Sequence, residues 1–373
     1  MGALFVAVLV LPLACGSPAT APANPETVRA DIQALYDRRV AALAKGDARE
    51  LEATYDTSRP VLRRYNNDHL ELARRGFPGG PLRVVAIEPH GDTYMRAYVQ
   101  HDTELGFGIA SASHAVAEYV RRIDGRWVLS DPLDNELGAS RERIGDGVTV
   151  THFAIQDELA PLIHDAARRA RTEVTRFAPR GLVGDTKLSL YPTVTALGPG
   201  WASLKYAQYL PDIRLAPISL GTDRATRSLS DITQYVVKMS VAHQLRDEIQ
   251  PRIGSRLDND TWLDQGWAGF AAGAPTRPDF FKAACGGVAP LTLKDVSVSG
   301  SIVSFSRDYP TYYAYQTAMV EYLYERYGPR AYWDLLEAFR ADADSRVTFP
   351  KVLKITPNAF YADWLVWAKK KHC

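Results

Sequence analysis

The stretch VVKMSVAHQLRDEI at residues 236–249 spaces polar side chains as a helical metal site does. In the pattern H-E-x-x-H, two histidines one helical turn apart bind a single Zn²⁺, and the glutamate takes a proton from the metal-bound water. The same frame here contains His243, Gln244 and Asp247. It therefore keeps one imidazole, and it has an amide in place of the base and a carboxylate in place of the second imidazole.

Both changes weaken that chemistry. Gln244 has no basic lone pair at neutral pH, and general acid–base catalysis typically contributes about 10²–10⁴-fold to a rate. The side chain of Asp247 is shorter than that of histidine and reaches the same point only if the backbone moves. A salt bridge with the adjacent Arg246 is the alternative role for Asp247.

Local signals predict the elements that position these residues. Ser230 caps the motif helix, with Asp231 in its first turn, and Asn259 or Asp260 caps a second helix that Gly273 and Pro275 terminate. A strand near residue 148 precedes a long helix in which apolar residues recur at helical spacing: Ile163, Ala167, Ala170, Val174 and Phe177. The stretches TKLSLYPT and DIRLAPISL predict strands, and the tail from YPTYYAYQTAMVEYLYERYG onward predicts further helices.

This order of elements, from about residue 148 to the end, resembles the gluzincin (thermolysin-like) zinc metallopeptidases in their small bacterial peptidase MA-like form. WLDQGWAGFAAG is similar to the family helix W-L-x-E-G-x-A, which carries the third zinc ligand. The resemblance implies that His243 is a retained ligand, whereas Gln244, Asp247 and Gln265 replace the base, the second histidine and the glutamate. We therefore expect these four residues in one cleft, with no bound metal, no cofactor and no peptidase activity. Tyr312, Tyr313 and Tyr315 could supply a hydroxyl there, but a tyrosine-rich helix more often packs.

The preceding segment has a different pattern. Val28, Ile32, Leu35 and Leu43 share one helix face that ends at Gly46, and two extended runs with Gly-Asp and Asp-Gly turns follow. In the stretches ALAKGDARELEATY and IDGRWVLSD, residues 25–136 resemble the nuclear transport factor 2-like (SnoaL-like) superfamily. The resemblance implies a cone that encloses a pocket, which His69, His101 and Asp102 could face. Ordinary structural or surface roles are the alternative for these three.

The first residues predict export. An apolar run from Ala3 to Ala14 suits a signal peptide and is too short to span a bilayer. LPLAC resembles a bacterial lipobox, which implies acylation of Cys15. A plain signal peptide with an incidental cysteine, and hence secretion, is the alternative. In an oxidising compartment Cys285 and Cys373 could form a disulfide or remain free.

Together these patterns predict an α+β protein. We expect a signal peptide at 1–14, a tether at 15–24, a cone-like helix-plus-antiparallel-sheet domain at 25–140, and a gluzincin-like α/β domain with a helical C-terminal part at 148–373. A net charge of +1 over 373 residues gives no basic field for nucleic acid. The expected function is that of a non-catalytic peptidase-like protein, lipid-anchored on the outer face of the membrane in the bacterial cell envelope, which binds a peptide or protein. The alternatives are an active metallohydrolase with a remodelled site and small-molecule binding in the N-terminal pocket.

Overall fold

The computed structural model describes residues 24–74, 80–101, 114–179, 184–192, 213–215, 222–223, 228–229, 231–249, 261–274, 281, 285, 309–342 and 344–373. Within them helices and two larger sheets combine, which confirms the predicted α+β class. The signal peptide, Cys15 and residues 16–23 of the tether lie outside the described residues. So do Asp102, Pro275 and the predicted caps Ser230, Asn259 and Asp260.

The first part of the chain is a helical layer followed by a sheet. Its elements are α1 (Pro25–Lys45), α2 (Ala48–Glu52), α3 (Pro60–Arg74), β1 (Leu82–His90), β2 (Tyr94–His101), β3 (His114–Ile123) and β4 (Arg126–Leu129). The strands form an antiparallel meander in the order β1-β2-β3-β4. Helix α1 ends where Gly46 adopts a left-handed conformation at φ 67°, which glycine tolerates without a Cβ clash.

The apolar face of α1 packs on this sheet. Ile32 and Leu35 are buried in one cluster with three valines, one from each of β1, β2 and β3: Val84, Val99 and Val120. Because successive strand residues point to opposite faces, these valines mark the face that the helices cover. The apolar residues that repeat with a helical period in α1 therefore pack against apolar strand residues in one core.

A buried carboxylate joins the helical layer to the sheet. Asp56, between α2 and α3, is 2% exposed. It accepts hydrogen bonds from the Ser130 hydroxyl at 2.8 Å and the Ser58 hydroxyl at 2.6 Å, and the Arg121 guanidinium lies 2.5 Å away. Burial raises the pKa of Asp56, but the hydrogen bonds from Ser58 and Ser130, together with Arg121, outweigh it and lower the pKa below its usual value.

We expect Asp56→Asn to destabilise the protein at pH 7 by about 1.5–3 kcal/mol, the usual worth of hydrogen bonds to a charged group. A lowered pKa in the folded state contributes stability that is present above the unfolded value of about 3.9 and is lost as the pH falls through the folded value. The stability gap between wild type and variant should therefore narrow at low pH. Urea unfolding at pH 7 and pH 3 measures this gap. Asp31→Asn, at the exposed Asp31–Arg122 pair, is the control. An equal gap for Asp56→Asn at both pH values would contradict the assignment.

A second sheet follows. It contains β5 (Ser140–Gly145), β6 (Val148–Phe153), β7 (Thr186–Leu190) and β8 (Ile213–Leu215) in that spatial order. Strands β5 and β6 are antiparallel, whereas β6, β7 and β8 run parallel. The crossover between β6 and β7 contains α4 (Ala160–Val174), which buries Ile163, Ala167 and Ala170 in one cluster with sheet residues. The segment between the two predicted domains thus includes a strand of the second sheet.

The rest of the described chain is mainly helical. After a short pair of strands, β9 (Thr222–Asp223) and β10 (Ser228–Leu229), come α5 (Asp231–Ile249), α6 (Thr261–Ala272), α7 (Tyr309–Tyr327), α8 (Pro329–Ala341), α9 (Ser345–Leu353) and α10 (Pro357–His372). They share a core rich in aromatic rings, including Trp262, Trp267, Phe360 and Trp364. A disulfide joins Cys285 and Cys373. Within the described residues, no helix has the length and apolar character needed to cross a membrane.

Candidate functional site

Helix α5, which carries the motif, is packed on both sides. Val237 and Val241 belong to the cluster under the second sheet, whereas Met239, Ala242 and Leu245 belong to the aromatic core of the helical part. Among the polar side chains of the motif, Asp247 keeps contact with solvent, whereas His243, Gln244 and Arg246 are buried. They need internal partners, because a buried polar group without one costs free energy.

His243 faces α6. It is 3% exposed, and its Nδ1 lies 3.3 Å from a carboxylate oxygen of Asp264, which is itself 5% exposed. The same oxygen lies 3.3 Å from the guanidinium of Arg246, one turn after His243 on α5. Arg246 also donates to the carboxylate of Asp247 at 2.7 Å. We call His243, Arg246, Asp247 and Asp264 the ion-pair cluster.

The guanidinium of Arg246 carries the positive charge that pairs with Asp247 and Asp264 in this cluster. Burial lowers the pKa of its guanidinium, but the negative charges of Asp264 and Asp247 outweigh burial and raise that pKa above its usual value. Arg246 is therefore a fixed positive charge, and it is the counter-charge for the buried Asp264. Among the residues that the structure describes, no group of three or more His, Cys, Asp or Glu side chains is arranged to hold a metal ion.

Gln244 faces away from the ion-pair cluster, toward the second sheet. Its side-chain oxygen accepts from the backbone N–H of Lys187 in β7 at 2.8 Å, and its side-chain nitrogen donates to the carbonyl of the same residue at 3.3 Å. The amide thus supplies both the acceptor and the donor that a neighbouring strand would supply. A glutamate could not do this in its ionised form, because a carboxylate only accepts.

Gln265 lies on α6 next to Asp264 and is buried. The contact from α6 to His243 is made by Asp264. The structure therefore brings His243, Arg246, Asp247 and Asp264 together and directs Gln244 elsewhere. The motif pattern predicted Arg246 as a partner of Asp247 and gave no role to Asp264. One signal could have indicated a common partner: His243 and Arg246 are spaced i, i+3 and hence share a helix face.

The tyrosines of α7 are packed. The Tyr313 hydroxyl lies 2.6 Å from the Tyr235 hydroxyl of α5, and burial, then Tyr235, raises the pKa of Tyr313. Tyr315 is fully buried and stacks on Phe281. The side chain of Tyr312 lies outside the described part of the structure.

The first part of the chain contains a second polar group, between α1, α3 and β3. The Tyr36 hydroxyl of α1 donates to Glu118 of β3 at 2.8 Å. On α3, Nδ1 of His69 bonds the Tyr65 carbonyl at 2.9 Å, and the two rings lie edge to face 4.2 Å apart. Burial lowers the pKa of His69. Glu118, Tyr65 and His69 are only half-buried, so this group keeps contact with solvent. His101 ends β2, but its side chain lies outside the described residues, as does all of Asp102.

No family model matches the chain, and no curated protein matches it.

Proposed function

We propose that the protein is an exported, lipid-anchored, gluzincin-like protein that has lost peptidase chemistry and acts by binding a peptide or protein. The observation that supports this most is the bond pair between Gln244 and the backbone of Lys187. Gln244 occupies the position at which the resemblance implies the general base. Its side-chain amide instead makes two hydrogen bonds to the backbone of strand β7. Such a residue stabilises the fold and has no means of activating water at neutral pH.

The other replaced positions support the same proposal. Asp247 takes the place of a histidine ligand, and its carboxylate accepts from Arg246. His243, the one retained ligand type, faces Asp264, whose charge Arg246 balances. A cation would have to compete with a buried guanidinium for both carboxylates. These contacts favour an internal structural role over zinc coordination.

Peptide binding does not need the metal. An extended peptide can add to the edge of a sheet through main-chain hydrogen bonds, with side-chain pockets giving specificity. The described part of the second sheet ends at β8 on one side, next to β7, the strand that Gln244 contacts. The other edge, β5, presents the charged Arg141, Glu142 and Arg143, a composition that discourages strand addition. We place the peptide on the β8 side.

Metal content and cleavage test the loss of catalysis. We expect the purified mature protein, after incubation with zinc and desalting, to hold less than stoichiometric metal by elemental analysis. A mixed-sequence fluorogenic peptide pool should stay uncleaved and should bind, with a rise in fluorescence polarisation. His243→Ala should change none of these. About one tightly held zinc per chain that is lost in His243→Ala, together with cleavage of the pool, would overturn the proposal in favour of an active metallohydrolase.

Gln244→Glu tests the hydrogen bonds between Gln244 and Lys187. At pH 8 the carboxylate loses the donor to the Lys187 carbonyl, so we expect a loss of about 1–3 kcal/mol in the free energy of unfolding. Burial beside a carbonyl favours the protonated form of the new side chain, which can donate again. The loss should therefore shrink toward pH 4. Gln244→Ala, which removes both bonds, should keep its loss at both pH values. Urea unfolding of the two variants measures this, and parallel pH profiles would refute the strand-holding role.

The anchor is tested at Cys15. In the native host we expect the wild-type chain in the membrane fraction and Cys15→Ala in the soluble fraction or unprocessed, because the thioether-linked lipid can form only at that sulfur. Cys373→Ala is the control for a general effect of cysteine loss. Unchanged membrane retention and processing of Cys15→Ala would rule out the lipoprotein proposal.

A second candidate function is small-molecule binding in the first part of the chain. The supporting observation is the half-buried group of Tyr65, His69 and Glu118 beside an apolar core. Nδ1 of His69 is bonded to a backbone carbonyl, so in the neutral ring Nε2 is the hydrogen-bond acceptor. Aromatic walls with a few fixed polar atoms are typical of small-ligand sites. A library of hydroxylated aromatic compounds, screened by thermal shift, tests this candidate. Hits should weaken in His69→Ala but not in the control Asp31→Asn, and the absence of any such hit would refute it.

A further inference from the structure

The disulfide between Cys285 and Cys373 lies at the last turn of α10. Its Cα atoms are 5.7 Å apart, and the two cysteines are 88 residues apart in the sequence. Both cysteines are exposed. A thiolate in solution therefore has access to the bond, unlike a disulfide enclosed in a core.

A stack of rings lies beside the bond. Phe281 is fully buried, and its ring centroid lies 4.2 Å from that of His372 and 5.3 Å from that of Tyr315. The planes are within 11° and 17° of parallel. The stack thus connects Phe281, the end of α10 through His372, and α7 through Tyr315. The disulfide fixes two of these three parts next to the rings.

The remaining contacts of this turn are exposed and polar. Lys371 pairs with Glu321 and Glu325 of α7 at 2.8 and 2.6 Å, and the Trp367 indole donates to Glu325 at 2.8 Å. Exposed ion pairs contribute little to stability, because water and salt screen them. The disulfide is covalent, and it opens only when a thiol or another reductant reacts with it. The covalent bond is therefore the strongest single tie of this turn.

We propose that Cys285–Cys373 is a redox-sensitive clasp, which a small dithiol opens to release the last turn of α10 from Cys285 while the rest of the described fold stays intact. A thiolate of the dithiol attacks the sulfur of Cys373, the S–S bond breaks, and Cys285 leaves as a thiolate. The second thiol of the reagent then displaces Cys373 and closes the oxidised reagent. Two electrons pass from the dithiol to the protein in this exchange.

Hydrogen exchange with dithiothreitol tests the clasp on the full chain in native buffer. Two additional thiols per chain should become alkylated, and exchange of amides in the last turn of α10 should rise on the order of tenfold, since local opening now costs less free energy. Exchange in α1 and in β1–β4 should not change, and reoxidation should restore protection. The double variant Cys285→Ser, Cys373→Ser should show the same amide exchange as the reduced protein, and dithiothreitol should not change that exchange.

Three outcomes would overturn the clasp. The thiols could stay inaccessible to alkylation until denaturant is added, in which case the bond is not open to exchange in the folded protein. The last turn of α10 could keep its protection after reduction. Exchange could also rise equally in α8 and α10, which would mean that reduction unfolds the helical part as a whole.

Discussion

Replacing Asp264 by alanine should lower the free energy of unfolding by about 3–5 kcal/mol, the usual cost of breaking a buried ion pair from one side. The carboxylate is 5% exposed and lies 3.3 Å from both Arg246 and His243. Alanine removes it and leaves a 2%-exposed guanidinium with less opposite charge. Because that guanidinium stays charged over the accessible pH range, the protein cannot relieve the cost by deprotonation.

The matched control is Asp247→Ala. Asp247 pairs with the same guanidinium at 2.7 Å, but its side chain is 34% exposed. An ion pair that keeps contact with water contributes about 0.2–1 kcal/mol, so the control should be several-fold milder. Urea unfolding monitored by tryptophan fluorescence compares the two. Equal losses in the free energy of unfolding for Asp264→Ala and Asp247→Ala would show that burial does not determine how much each carboxylate stabilises the protein.

Removing the charges of both Arg246 and Asp264 separates the effect of their pairing from the cost of burying an unpaired charge. In Arg246→Met, Asp264→Leu no buried charge is left uncompensated, and such replacements are often neutral or stabilising. We expect the double variant to be more stable than Asp264→Ala. His243 then faces an apolar residue, so a residual loss reports the worth of the His243–Asp264 contact.

Local patterns predicted most of the described fold. The helical spacing of Ile163, Ala167 and Ala170 predicted the buried face of α4, and the structure buries all three. Gly46 ends α1 as expected, in a left-handed conformation. These features depend on side chains a few residues apart. The 3.6-residue period of a helix determines which of those side chains share a face. The α+β class follows from the same local signals, added along the sequence.

The partners of the motif depend on distant residues, and the sequence did not reveal them. Gln244 bonds a backbone group 57 positions away, and main-chain atoms leave no mark on residue type. Asp264 is adjacent to the position that the family pattern singled out, and its role depends on which side of α6 faces α5. A pattern of residue types indicates what a side chain could do, and packing determines whether water, a metal or another side chain reaches it.

Gly266→Ala is expected to destabilise the protein although alanine favours helices. A Cβ at Gly266 would lie 2.7 Å from the carbonyl carbon of Gln316 on α7 and 2.9 Å from a methyl carbon of Val320. Overpacking a core costs about 1–3 kcal/mol, and more where the backbone must move. The gain in helix propensity from glycine to alanine is about 1 kcal/mol and does not offset that cost. The same close approach explains why a glycine follows Gln265.

Gly269→Ala, one turn later on α6, is the matched control. A Cβ there would meet the Tyr313 hydroxyl at 2.6 Å and the hydroxyl of Thr317, both side-chain atoms rather than backbone. The Thr317 hydroxyl can rotate away, and a side chain shifts at a lower cost than the helix backbone that Gly266→Ala would displace, so Gly269→Ala should cost less than Gly266→Ala. Because Gly266 lies two residues after Asp264, a shift of α6 away from α7 also moves Asp264 relative to His243. Asp264→Ala should therefore cost less in the Gly266→Ala background than in wild type. Additive losses in this double-mutant cycle would contradict coupling between the helix contact and the ion-pair cluster.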